Sequence, residues 1–477
     1  MTEIGLIENT IQMERFETIP VVLDFKVHLF EITNPEDVKN NGVPIVKERG
    51  PYIYNLTRNR LIEDMDEEYI HYRIKDQFVF DKEASYPNTE DDKIMLINPL
   101  YHLILQLAES EFANLMPLIG GDNVLTRVFG NYASPVAEFR VGDILFDGIE
   151  FCENPTLIIA NVFCTAIRAS ADRSANIQVK PDGSLMFSFF AHKQEIPGSQ
   201  YVVNRGTVDI SRLGLISYWN NNDRLTTWPD VVDENGETQK SVCNILNGTD
   251  SGVFPPFVDI SKPIYGFNPD ICRSVELRYA RHDEYKGLPV VKYSADEFFL
   301  DNDDGCFCVG KTPGLTQQNG CLHRGAIELY NCVGGFMVLS YPHFLFAHSI
   351  YRNGVIGLLP VEEEHKVMVE LEQTSGVVIR GTKRAQFNLF SRPMDSVTSS
   401  NNLRTTLIPI FWISEGMELP QMYVDEIKER LFQRLNTVEI VIPVLITIGA
   451  VVTLLGIILL ILRYRSNKSH QINKRTI

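Results

Sequence analysis

Apolar and polar residues alternate with a period of two in several separated stretches, the pattern of strands that bury one face. In LDFKVHLFEIT, residues 23–33, Phe25, Val27 and Leu29 share a face and the phase slips at Phe30, as in a bulged strand. The turn-like NPED follows, and ERGPYIY then opens a further strand. Alternation returns in KVMVELE, 366–372, with Val367, Val369 and Leu371 inward, and in RAQFNLF, 384–390, with Ala385, Phe387 and Leu389 inward. These are read as antiparallel strands with one wet face. A period near 3.6 appears in YHLILQLAESEFANLMPL, 101–118, where Ile104, Leu107, Ala108, Phe112, Leu115 and Met116 fall at helical spacing and Pro117 limits the helix. It appears again in MYVDEIKERLFQRLN, 422–436, through Val424, Ile427, Leu431 and Leu435. No internal repeat or low-complexity linker interrupts the pattern.

One segment shows no periodicity because it is apolar throughout. IVIPVLITIGAVVTLLGIILLIL, residues 440–462, carries no charge and exceeds the roughly 20 residues needed to cross a bilayer. The tail 463–477 holds Arg463, Arg465, Lys468, Lys474 and Arg475 and no acid, which places it in the cytosol. The opening MTEIGLIENTIQMERFETIP is polar and reads neither as a secretory leader nor as a second span. Taken literally, that describes a tail-anchored protein with a cytosolic body. The 477 residues, 44% hydrophobic and 22% charged, suit a large globular body, and a net charge of −17 argues against a nucleic-acid partner.

Cysteines and glycosylation acceptors bear on the compartment. Six of the eight cysteines, Cys243, Cys272, Cys306, Cys308, Cys321 and Cys332, crowd into 243–332, the pattern of a disulfide framework. Cys306 and Cys308 are poorly placed to bridge one another, so each requires an outside partner. A zinc site of Cys306, Cys308, Cys321 and His323 is the competing reading. Asn55 in NLT and Asn247 in NGT are glycosylation acceptors upstream of the apolar segment. Disulfides and acceptors together favour an oxidising, extracytosolic body, with the N-terminal signal a missing piece of chain. No serine-hydrolase elbow, HExxH, Walker loop or dinucleotide fingerprint is found, and no enzyme, cofactor or metal site is expected. DNDDG, 301–305, matches a calcium loop only loosely, the runs EDMDEEY and VEEEH read as solvated faces, and His343 and His348 read as structural histidines.

The wording IPVVLDFKVHLFEITNPEDV, ERGPYIY, ILFDGIEFC, NGTDSGVFPPFVD, PDICRSVEL, CFC, YPHFLFAHS, EEEH, KRAQFNL and LIPIFWISEGMELP resembles the class B scavenger receptors and lysosomal integral membrane proteins, most closely the insect sensory neuron branch. Cys152 and Cys164 are similar to that branch and form a possible extra pair. The resemblance implies disulfides Cys243–Cys306, Cys272–Cys332 and Cys308–Cys321. It implies an α+β, mainly β fold: an irregular antiparallel β-barrel with an internal apolar tunnel and a helical-bundle crown at about 98–146. The implied layout is an ectodomain over 1–439, a span over 440–462 and a cytoplasmic tail over 463–477, in the plasma membrane. The implied function is capture of hydrophobic ligands, such as fatty-acid-derived pheromones or other lipids, and their conduction to the membrane or an odorant receptor. Phe112, Leu115 and Met116 are the expected ligand entrance. The alternative is an adhesion, scavenger or trafficking receptor that binds lipoprotein or protein through the crown.

Overall fold

The computed structural model describes residues 5–232, 236–302 and 307–473. It divides into two compact units, Met1–Tyr285 with Pro289–Glu418, and Lys286–Leu288 with Leu419–Ile477. Strand dominates the first. Its main sheet runs in the order Ile216–Trp219, Gln200–Asn204, Tyr69–Phe80, Val46–Met65, Leu23–Ile32, Thr406–Glu418, Val378–Ser391, Val367–Leu371, Leu288–Ala295, Arg273–Tyr285, Ile264–Asn268. Val338–Ser340 and Ala326–Glu328 branch from Val378–Ser391.

Strand pairing does not close this sheet into the expected barrel, because the two end strands are not paired with each other. A short non-strand segment bonds to both. Ile216 N donates to Gly248 O at 2.9 Å, while Thr249 N donates to Tyr265 O at 3.2 Å and Thr249 O accepts from Phe267 N at 2.8 Å. Only glycine suits position 248: its φ is +80°, and a Cβ would lie 1.9 Å from Tyr265 O. Behind this junction lies a second apolar cluster containing Ile216 and Phe267 from the end strands and Leu6, Met13 and Phe16 from the N-terminal segment.

Leu23–Ile32 forms as the alternation requires, with Phe25, Val27 and Leu29 buried. The phase slip has a different origin. Val27 faces Tyr52 while Leu29 faces Arg49, so the extra residue belongs to the partner strand at Gly50–Pro51. NPED is the start of a short helix, Pro35–Lys39, with proline at its first turn. The strands at 366–372 and 384–390 lack the expected wet face: Glu370, Gln386 and Asn388 are all buried. Glu370 is held by Arg380 at 2.7 and 3.0 Å, and Gln386 and Asn388 bond to each other and to Ser340. A buried polar side chain with its partners supplied has the same sequence pattern as a solvated one.

The helix expected over 101–118 is Pro99–Glu111, capped by the Asn98 side chain on Tyr101 N. It stops six residues before Pro117 because the ring there excludes a helical carbonyl at 113. The chain instead makes a tight turn at Ala113–Leu115 and a new short helix, Met116–Ile119, with the proline in its first turn. Every residue from Pro99 to Ala108 is buried, so this is a core helix rather than an amphipathic one. Asp122–Phe129 and Ile158–Ser170 are further helices of this region, the latter unforeseen.

The second unit is helical. Gln421–Ile427 continues through a widened turn at Lys428–Phe432 into Gln433–Asn473. Within it Ile440–Arg463 has a mean hydropathy of 3.0 and is long and apolar enough to cross a membrane.

Candidate functional site: an aromatic-to-ionic inner face and its disulfide frame

Sheet register assembles a single inner face from distant sequence. Phe25 stands opposite Tyr54 and Glu415, Arg58 opposite Asp76, and Glu415 opposite Lys383. Residues opposite one another share a face, so these side chains line one surface. Its apolar part is aromatic. Phe25 meets Phe78 and Phe190 with ring centroids at 5.0 and 5.2 Å, Phe411 meets Phe189 and Phe387 at 4.6 and 5.1 Å, and Phe146 touches Phe78 at 5.3 Å.

Further along the same strands the face becomes ionic. Arg58 binds Asp76 through two bonds of 2.8 Å and reaches Glu415 at 2.8 Å, and Lys383 lies 3.5 Å from Glu415. Burial pushes the Glu415 carboxyl up, but Arg58 and Lys383 outweigh it and hold the group well below the usual carboxylate range. Burial likewise works against the charge of Arg58, and Glu415 and Asp76 restore it. The surface thus grades from edge-on and tilted aromatic rings to compensated charge.

The expected entrance residues fall at the break between helices. Phe112 terminates Pro99–Glu111, Leu115 ends the tight turn, and both are partly buried against the main core. Met116 is buried outright, so its side chain is not part of an exposed rim.

The structure joins Cys272 to Cys332, Cys308 to Cys321, and Cys152 to Cys164. Cys243 is also disulfide-bonded, and Cys306, its expected partner, lies outside the described residues. Cys308 and Cys321, each spent on the other, are not free thiolates for zinc. The Cys152–Cys164 bridge ties the helix Ile158–Ser170 back to the end of the strand Ile149–Phe151.

Around Cys308 the loop is organised by a residue that sequence reasoning missed. Glu328, 2% exposed, accepts the backbone N–H groups of Val309, Gly310, Lys311 and Thr312 at 2.5 to 3.1 Å, and the Thr312 hydroxyl at 2.8 Å. Its only sequence signal is one acid inside the apolar run GAIELY. Nearby, the Arg273 guanidinium sits 3.5 Å from the Phe307 ring, and Trp228 donates to Cys272 O at 2.7 Å. Of the two acceptors, Asn247 is exposed. Asn55 is half-buried in Val46–Met65 and donates to Asp81 at 3.1 Å.

Compared with known families, residues 1–460 match the model of the CD36 family. The chain belongs to the CD36 family. This CD36-family chain is 32% identical to sensory neuron membrane protein 2 of Aedes aegypti, over 94% of its own length and 91% of the relative's. It is 34% identical to sensory neuron membrane protein 2 of Drosophila melanogaster, covering 90% and 86%. With sensory neuron membrane protein 1 of Pediculus humanus subsp. corporis it shares 29% identity, covering 92% and 81%.

Proposed function

We propose that this CD36-family chain is a plasma-membrane receptor of chemosensory cells that binds hydrophobic ligands and conducts them toward the membrane or an odorant receptor. The observation that carries the reading is the inner face, where an aromatic surface leads to compensated charge within one sheet. Such a surface suits an aliphatic chain with a polar end. In this reading the sheet, with the Gly248–Thr249 segment across its open side, acts as a barrel around a tunnel. The helices between residues 98 and 146 act as its crown, with Phe112 and Leu115 near the mouth. Burying about fifteen methylenes at ~0.8 kcal/mol each yields roughly 12 kcal/mol before an association cost of about 4–15 kcal/mol, so binding is modest, as a conduit requires.

Native mass spectrometry of the protein purified in mild detergent is expected to find a bound lipid or fatty-acid ester. Phe112→Glu and Leu115→Glu are expected to slow loading of a fluorescent fatty-acid ester while leaving the disulfides intact. Loading at the parent rate in both folded variants would remove this entrance. A protein that takes up no such ester, yet captures lipoprotein, would support the adhesion or scavenger reading instead.

The same proposal puts residues 1–439 outside the cytosol, which glycosidase digestion of cell-expressed protein tests. Asn247 is expected to carry a glycan. Asn55 is expected to be bare, since its amide is committed to Asp81 within a central strand. An unmodified Asn247 together with free cysteine thiols would place the body in the cytosol and overturn the topology.

A further inference from the structure

On the outer face of the main sheet, side chains from four segments converge on one carboxylate. Glu48 takes a 2.6 Å bond at one oxygen from His28 Nδ1 and a 2.6 Å bond at the other from His343 Nε2. His343 stacks on His365 with centroids 4.6 Å apart, and Trp412 lies between His28, stacked at 3.9 Å, and His365, edge-on at 5.4 Å. His343 and His365 are buried. His343 also adopts φ +54°, held there by its own N–H on Gln386 at 2.6 Å.

The remaining bonds of the two buried rings define their protonation. Leu359 N donates to His343 Nδ1 at 3.2 Å, and Val361 N donates to His365 Nδ1 at 3.0 Å. A ring nitrogen that accepts a hydrogen bond carries no proton, so both imidazoles are neutral and protonated at Nε2. The proton at Nε2 of His343 is the one directed at Glu48. These two nitrogens are anchors of the segment Gly357–Lys366. Its upstream end is tied where Val46 N meets Ile356 O at 2.8 Å, and its downstream end continues into Val367–Leu371.

We propose that Gly357–Lys366 is a strap loosened by acid, whose anchors at Leu359 and Val361 hold only while the imidazoles of His343 and His365 are neutral. A second proton on either ring must go to Nδ1. There it turns an acceptor into a donor facing a backbone N–H, and the anchoring bond is lost. The positive groups facing His365 favour release rather than oppose it. Facing His365 are His28, His343, Glu48 and Arg384, the last on Val378–Ser391 and bonded to the strap carbonyls of Glu363 and Lys366. Glu363 and Glu364 act on Arg384, and Glu48 alone among the groups facing His365 favours its protonation.

The direction of the pH dependence follows from linkage. Burial, then the neighbouring His343, pushes His365 from 6.5 down to about 4, so the closed state binds fewer protons than the open state between those values. The contribution of His365 to closure is therefore full above pH 6.5 and is lost as pH falls toward 4. Burial raises the Glu48 pKa, but the bonds from His28 and His343 prevail and hold it well below the usual range, so it stays ionised and keeps both bonds through this window.

The test is hydrogen exchange of the full chain in detergent or nanodiscs at about pH 7.4 and about pH 5, corrected for the intrinsic rate. Protection of the Leu359 and Val361 amides is expected to fall on the order of 10- to 30-fold, while the central strands Leu23–Ile32 and Thr406–Glu418 keep theirs. His343→Asn with His365→Asn keeps an acceptor oxygen at each δ position but cannot titrate, and is expected to remove the pH dependence. Equal protection at both pH values, a loss spread evenly over the central strands, or an undiminished pH response in the folded double variant would each overturn the proposal. The first two readouts need no variant.

Discussion

Asp250→Ala is expected to lower the stability of the folded body by about 3–5 kcal/mol, because it strands a buried guanidinium. Arg60 is 4% exposed, donates to Asp250 at 2.8 Å and to Phe16 O at 2.6 Å, and lies 4.4 Å from the centre of the Phe16 ring. Tyr72 contributes a further bond to Asp250 at 2.8 Å. Burial alone would raise the Asp250 carboxyl, yet Arg60 keeps it below its usual value, so the pair is ionised and the charge left behind by the substitution is a full one. Asp250 also directly follows the Gly248–Thr249 segment that bonds to both end strands, so its loss weakens that junction from within. Denaturant titration in detergent measures the loss. The double change Arg60→Met with Asp250→Leu is expected to recover much of it, since it removes the stranded charge as well as the bond. A single variant within about 1 kcal/mol of the parent would show that solvent reaches Arg60.

Glu328→Gln is expected to cost about 3–6 kcal/mol, the loss of roughly two charge-assisted bonds. A carboxylate presents acceptors to all five donors around it, whereas an amide turns one oxygen into an NH₂ group pointed at backbone N–H groups. The damage concentrates in 307–312, which carries Cys308. Reduction of Cys308–Cys321 by dithiothreitol should accelerate accordingly, with Cys152–Cys164 unchanged as the internal control. Equal reduction rates in parent and variant would remove Glu328 from the role of loop organiser.

What could be read from the chain and what could not divides along physical lines. The strand at Leu23–Ile32 and the apolar helix at 440–463 were visible because one-sided burial and membrane burial leave periodic or uniform hydrophobicity. The helix at Ile158–Ser170 left a usable signal that went unread: Ala160, Phe163, Cys164 and Ile167 fall at helical spacing and are buried. The extent of Pro99–Glu111 was misjudged because a proline disrupts the turn before it rather than the residue at which it stands. The outer face of Val378–Ser391 was misread because Gln386 and Asn388 are polar and buried together. The Glu48 cluster was beyond reach, since His28, Glu48, His343 and His365 meet only through sheet register and a covering loop. The inner face is a similar case, with Phe25, Phe78, Phe190 and Phe411 ordinary core residues until the strands are aligned.

The order of the sheet has a consequence for biosynthesis. Its first strand, Leu23–Ile32, is central, and one of its two neighbours is its last, Thr406–Glu418, with Asp24 set against Gly416. A ribosome therefore releases a strand whose second hydrogen-bonding edge has no partner until nearly the whole body has been made. During that interval Val27 and Leu29, fully buried in the finished protein, flank an open ladder that could recruit a neighbouring nascent chain. Folding of this receptor is thus slow by topology, and the nascent chain depends on being shielded until the final strand arrives. A truncation that stops before residue 406 should accumulate as an aggregate rather than as a shortened soluble body.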